Sequence, residues 1–217
     1  PEIDLVIGMG DRMVDLVREA VDCVIRVGDL QDSTLVARRI GAIKLVTCAT
    51  PDYLERHGVP QSLDELQQHV AVHYFSPRTG RNFDWDFVVD DQSMPVKMRG
   101  SVSVNDMDAY IACALQGFGM IQPARFTVLP LLESGALVEV LPQLSPSPMP
   151  MSVAYLQNRH LSPKVRAFVD WVAELFGACP LLGGVDQGNG ECSYNARAGY
   201  NTLRSEVELL NLAEGAL

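Results

Sequence analysis

The chain lacks any run approaching the ~18 consecutive apolar residues of a membrane span. It also lacks a charged, apolar secretory leader at its start. It is short of positive charge: 17 Lys and Arg stand against 27 Asp and Glu, a net charge of −10. That balance argues against a chain that wraps nucleic acid by its own surface. The five cysteines, Cys23, Cys48, Cys113, Cys179 and Cys192, show no C-x-x-C spacing. They read as reduced thiols of a cytoplasmic protein rather than a disulfide framework. His57, His69, His73 and His160 form no H-E-x-x-H motif. In a strand, His69 and His73 would stand about 13 Å apart at about 3.3 Å per residue, too far to share a metal ion. There is no G-x-S-x-G elbow, and the dispersed carboxylates offer no acid/base pair. Internal repeats and low-complexity tracts are missing too. No metal, cofactor or enzymatic activity is therefore expected. The chain opens on Pro1-Glu2 without an initiator Met, and reads as a trimmed fragment.

What is present is a core. Hydrophobic residues make up 47% of the 217 and charged residues 20%, which excludes global disorder and allows one large domain or two small ones. The stretch 14–41 organises the reading. Val14, Val17 and Val21 recur at helical spacing, and Cys23-Val24-Ile25 is a short apolar run of the kind buried on both faces of a sheet. With a strand at 3–7 and a helix at 11–20 begun by Asp11, this forms a strand–helix–strand unit, so the strands are expected to be parallel. Arg26 stands at the end of the second strand, beside Val27-Gly28. A charge there is costly unless it has a partner.

Further strands are expected at 44–49, 69–75, 84–89, 97–104, 119–122, 137–141 and 151–156. Residues 90–95 read as a turn, and the region 69–104 as an antiparallel, hairpin-rich patch. Helices are expected at 52–57, at 62–68 with capping-box spacing of Ser62 and Glu65, and at 127–133. A helix beginning at Asn105-Asp106 ends at Gly117. A strong helix starts at Ser162-Pro163, with Val165, Phe168, Val169, Val172, Leu175 and Phe176 as its apolar stripe. From Cys179 the pattern dissolves, with one possible helix at 202–212. The order fits an α/β protein of two lobes: 1–48 completed by 151–178, and 52–142. The chain would cross between them near 47–51 and 148–152, with a ligand cleft beside the crossovers.

Gly8-x-Gly10-x-x-Met13 is two-thirds of a dinucleotide fingerprint, and a tight strand-to-helix turn explains it better. Asn105-Asp106 ends a strand and begins a helix. That junction is either an ordinary cap or a site where free N–H groups attract an anion. Gly10-Asp11 offers a similar start, and Arg26 supplies a cation. Together they suit a small organic anion, although a structural ion pair explains Arg26 equally well.

The segment from Asp11 to Arg39, D-R-x-V-D-L-V-x-E-x-V-D-x-x-I-R-x-G-x-L-x-D-S-x-L-V-A-R-R, resembles the regulatory domain of LysR-type transcriptional regulators. So do C-A-T-P-D-Y-L-E-R-H-G from Cys48, Val104-Asn105-Asp106, Gly117-x-Gly119-x-x-x-Pro123, and L-S-P-K-V-R-A-F-V-D from Leu161 to Asp170. The resemblance covers about residues 1–177; the tail 179–217 does not match and is imagined folding back over an exposed core. It implies a two-lobe, periplasmic-binding-protein-like (type 2) fold with two crossover segments, missing its first strand and helix. It further implies a small-molecule effector held by Gly10, Asp11, Arg26, Gly28, Asn105, Asp106 and Pro123, with hinges near 47–49 and 152–154. Homodimers or homotetramers are implied, with the strand 3–7 and the helix 109–116 as pairing elements. DNA is contacted only through a helix-turn-helix domain absent from this chain, and no membrane is involved. A free solute-binding protein of similar fold and a small nucleotide-dependent α/β enzyme are the alternatives.

Overall fold

The computed structural model describes residues 4–8, 10, 14–28, 34–77, 79–157 and 162–177. In chain order the strands are β1 (Val24–Val27), β2 (Leu35–Ile43), β3 (Cys48–Ala49), β4 (Val70–Tyr74), β5 (Trp85–Val89), β6 (Gln92–Val96), β7 (Arg99–Val104), β8 (Val138–Glu139) and β9 (Met149–Leu156). The helices are α1 (Pro51–His57), α2 (Met107–Leu115), α3 (Arg125–Glu133) and α4 (Pro163–Gly177), with one 3-10 turn at Glu65–Gln68. They form two units. Lys44–Met149 make one, and the described residues before and after them make the other.

In the first unit the three-stranded sheet has the order β1-β9-β2, and β1 runs antiparallel to β9 with Arg26 opposite Ser152. α4 packs against β2, burying Val165, Val169 and Val172 beside Ile40, Ile43, Met151 and Val153. Val165 N–H donates to Ser162 Oγ at 3.4 Å, the cap the sequence predicts. Lys164 pairs with Asp22 at 2.9 Å, and Arg38 pairs with Asp170.

Several expectations for this unit fail. Residues 4–8 carry no strand, and 16–20 are turn rather than helix. The strand–helix–strand unit is therefore not formed among the described residues, and β1 pairs antiparallel with β9 instead. Asp15 Oδ1 accepts from the N–H groups of both Val17 and Arg18 at 3.1 Å, as a helix cap does, but the single turn it opens stops at Ala20, where φ is +56°. The valine stripe has little to pack on: Leu16 is buried, but Val17 is 68% exposed. A short helix without a buried face is marginal. β1 is not buried on both faces either, since Ile25 and Val27 are 41% and 46% exposed. Asp11 and the tail 179–217 lie outside the described residues.

The second unit is built on a mixed sheet. β4 and β7 are parallel, Met120 bridges Ala71 in parallel, and Cys48 bridges Ile121 antiparallel. β8 then pairs antiparallel with β3. The order across the sheet is β7, β4, the bridge at 120–121, β3, β8. The antiparallel patch expected over 69–104 is thus split. Only β5 and β6 form a hairpin, and the turn expected at 90–95 is a two-residue turn followed by β6. Pro95 lies on β6, where its missing N–H costs least if that strand edge is open. The strand expected at 44–49 shrinks to β3 plus a bridge from Leu45 to Ala124.

The core divides into two clusters. Tyr53, Leu66, Trp85, Phe87 and Met120 lie in one, and Val46, Cys48, Val72, Tyr110, Ile121 and Val128 in the other. Burying each of these larger side chains contributes about 1.5–3 kcal/mol. Thr50 caps α1 by accepting from Tyr53 N–H at 3.3 Å. Ser62 Oγ accepts from Glu65 N–H at 3.4 Å. The returning half of the capping box lands one residue early, with Gln61 N–H on the Glu65 carboxylate at 2.8 Å.

Candidate functional site

Three parallel segments of the second unit end on the same side of the sheet, and ligands of α/β sheets bind beyond such carboxyl ends. β4 ends at Tyr74, β7 runs out into Asn105, and the 120–121 bridge runs into Gln122 and Pro123. β3 is antiparallel to that bridge, so Thr47, just before it, lies at the same end. Asp106 then starts α2, its Oδ1 accepting from Ala109 N–H at 2.8 Å. This is the capping arrangement, so one carboxylate oxygen is already engaged.

Tyr74 Oη donates to the Asn105 carbonyl at 3.0 Å, and its ring meets Tyr110 edge-on at a centroid distance of 5.4 Å. Both contacts fix the strand-to-helix junction. Tyr110 Oη accepts from Gln122 N–H at 3.0 Å, and Gln122 Nε2 donates to Thr47 Oγ1 at 3.2 Å. Burial pushes the Tyr110 phenol up, against the opposing pull of its Gln122 bond, so it remains a neutral hydroxyl. Arg125, which opens α3, is engaged elsewhere: its Nη1 lies 2.8 Å from both oxygens of Glu139.

Of the residues named from the sequence, Asn105, Asp106 and Pro123 come together at this end. Pro123 is buried and its carbonyl accepts from Val46 N–H at 3.0 Å. Arg26, Gly28 and Gly10 belong to the other unit. Gly28 has φ of +93° and donates to the Pro150 carbonyl at 2.8 Å. Its glycine thus serves a turn that a side chain would strain. Arg26 is half-buried on β1. Gly10 is exposed, with nothing within 4 Å of where a Cβ would lie. No helix follows it in residues 14–20, so the context a dinucleotide fingerprint requires is missing. Of the hinge stretches, Thr47 precedes β3, whereas 152–154 lie inside β9, paired with β1.

Thr47, Tyr110 and Gln122 were not among the effector residues named from the sequence, although Thr47 opens one of the expected hinge stretches. The only signal was the strand stop at Pro123.

A second polar group sits behind the sheet. Tyr53 Oη lies 3.4 Å from His69 Nδ1 and accepts from Val70 N–H at 3.0 Å. Burial lowers the His69 pKa, with His57 adding to the effect and Glu65 opposing it. Burial also lowers that of His73, against Asp84. Among the described residues, no three His, Cys, Asp or Glu side chains are placed to hold a metal ion. No described helix is long and apolar enough to cross a membrane.

Comparison with known proteins places this architecture. The LysR substrate binding domain family matches residues 1–177. An uncharacterised HTH-type transcriptional regulator of Escherichia coli K12, YhjC, is 37% identical over 174 residues, covering 80% of this chain and 58% of the relative. The full-length Vibrio cholerae virulence activator AphB, a member of the LTTR protein family, superposes with a TM-score of 0.63 at 28% identity, over 78% of this chain and 57% of that one. The regulatory domain of CrgA, a LysR-type regulator from Neisseria meningitidis, gives 0.61 at 26% identity, over 74% and 78%. The chain thus spans little more than half the length of YhjC and AphB. Its fold is the type 2 periplasmic-binding-like fold of LysR-type regulatory domains. With the match running through both units to the end of α4, the chain belongs to the LysR substrate-binding domain family.

Proposed function

We propose that this chain is the effector-sensing and oligomerising part of a cytoplasmic LysR-type transcriptional regulator. Its ligand is a small anionic effector, for which Arg26, Gly28, Asn105, Asp106 and Pro123 are the candidate contacts. Closure around it alters the spacing of DNA-binding domains carried by a dimer or tetramer. The observation that carries this reading is the convergence of Asn105, Asp106 and Pro123 at the carboxyl end of the parallel strands, in a chain matched to the family over residues 1–177. Arg26 is the cation for the anion.

The test is a thermal-shift screen of small carboxylates against the purified chain. Hits are titrated by calorimetry on the wild type, Arg26→Ala and Asn105→Ala. At least tenfold weaker binding is expected in each variant. Unchanged affinity in Arg26→Ala would refute the assignment of the anion site.

A further inference from the structure

We propose that Gln122 is the specificity-determining residue of the second unit's ligand end. It selects a small carboxylate that carries a hydroxyl or ammonium group on the adjacent carbon. This deepens the effector-sensing reading and rests on it.

Gln122 is held from two sides by buried groups. Its backbone N–H is bound to Tyr110 Oη at 3.0 Å and its side-chain Nε2 to Thr47 Oγ1 at 3.2 Å. Thr47 and Tyr110 are each 2% exposed, so neither anchor exchanges freely with water. Gln122 itself is half-buried, at the end of the sheet where Asn105 and Asp106 also lie. Its Oε1 makes no hydrogen bond among the described residues, and nor does the second carboxylate oxygen of Asp106. Both acceptors therefore face solvent rather than a protein donor, since no buried side-chain oxygen among the described residues lacks a partner, and the guanidinium of Arg125 is tied to Glu139.

A bare carboxylate offers only acceptors, so it would set oxygen against oxygen here. A neighbouring hydroxyl or ammonium supplies the missing donor. Because the amide is already fixed by Thr47, the bond forms without ordering a free side chain, which is how preorganised polar groups discriminate.

Succinate, L-malate and L-aspartate test this, since they differ only in carrying hydrogen, hydroxyl or ammonium at one carbon. Calorimetric titration of the wild type should show malate and aspartate binding at least about tenfold more tightly than succinate, the worth of one hydrogen bond. Gln122→Leu should remove that preference, bringing malate and aspartate to the affinity that the same variant shows for succinate. Thr47→Val, which frees the amide, should shrink it and serves as a second variant should Gln122→Leu not fold. Arg26→Ala should weaken all three acids alike. Equal affinities in the wild type, or a preference retained in Gln122→Leu, would overturn the inference. So would a preference for succinate, because the amide would then present its nitrogen. If other carboxylates bind and these three do not, the inference fails and the sensing reading stands. If nothing binds, both fail.

Discussion

Gly100 gives the sharpest test of how the second unit is held. It lies on β7, next to the irregularity that shifts the β4–β7 register between Val70 and Val72. A Cβ at this position would overlap the Ala71 carbonyl oxygen and stand 2.8 Å from His73 Nε2. The first neighbour is backbone of the strand on the other side of the ladder, so it cannot swing away as a side-chain tip would. Relief requires β7 to move off β4. Overpacking of this kind costs about 1–3 kcal/mol, and each ladder bond stretched or lost adds about 1 kcal/mol. The lower entropy of the unfolded alanine chain returns about 0.4–1 kcal/mol. Gly100→Ala should therefore destabilise the unit by about 2 kcal/mol, or roughly 10 °C in Tm for a unit of this size. Urea denaturation followed by tryptophan fluorescence measures it, because Trp85 is buried in the same unit. Gly135→Ala is the control. Gly135 has φ of +74° and open space around it, so only the left-handed backbone is penalised, by about 1–2 kcal/mol. If Gly100→Ala lies within 0.5 kcal/mol of wild type, roughly the scatter of a neutral surface change, or costs no more than the control, the close-approach argument is wrong.

Three further outcomes are expected. His69 and His73 have folded pKa values below their ordinary 6.5, so the unfolded chain binds more protons between the two values. Their contribution is complete above about pH 6.5 and lost as pH falls through the folded values; a urea midpoint unchanged from pH 8 to about 5 would contradict this. Asp90 and Asp91 hold φ of +48° and +61° at the tip of the β5–β6 hairpin, a turn suited to Asn-Gly. Asp91→Gly should therefore raise stability by about 1 kcal/mol, as read from Tm. Cys48 is fully buried, and burial first, then Glu139, pushes its thiol up to about 12. Peptide mapping after iodoacetamide should find Cys48 unmodified in the native protein and alkylated in urea.

Much of the second unit was legible because its signals are local. Thr50-Pro51 and Asn105-Asp106 are capping signals that act within four residues, and both act in the structure, whereas Ser62 accepts from Glu65 N–H but the helix expected at 62–68 shrinks to a 3-10 turn at Glu65–Gln68. The first unit was harder because its order comes from pairing across the chain. β2 carries Arg38 and Arg39 in its middle and is not among the strands the sequence leads one to expect. Arg38 is accommodated by Asp170, 132 residues away, a distance that no local pattern reveals. The periodic valines at 14–21 have the spacing of a helix without a partner surface, and the turn that Asp15 caps stops at Ala20, whose φ is +56°. The proposed ligand end divides in the same way. Asn105 and Asp106 are named through their cap. Gln122 is not, because its partners Thr47 and Tyr110 are 75 and 12 residues distant.

The place of β9 at the centre of the first sheet has a consequence for birth on the ribosome. β1 and β2 are joined only through β9, which begins at Met149, whereas the second unit is continuous from Lys44 to Met149. Residues 24–43 must therefore wait, unpaired, while the inserted portion is completed. Within this stretch folding should start at 44–149 rather than at 24–43, against the usual amino-terminal lead. Nascent chains stalled once residue 149 has left the ribosomal tunnel should resist protease over 44–149 and be cut in the stretch just before it. Early protection of the β1–β2 stretch would contradict that order.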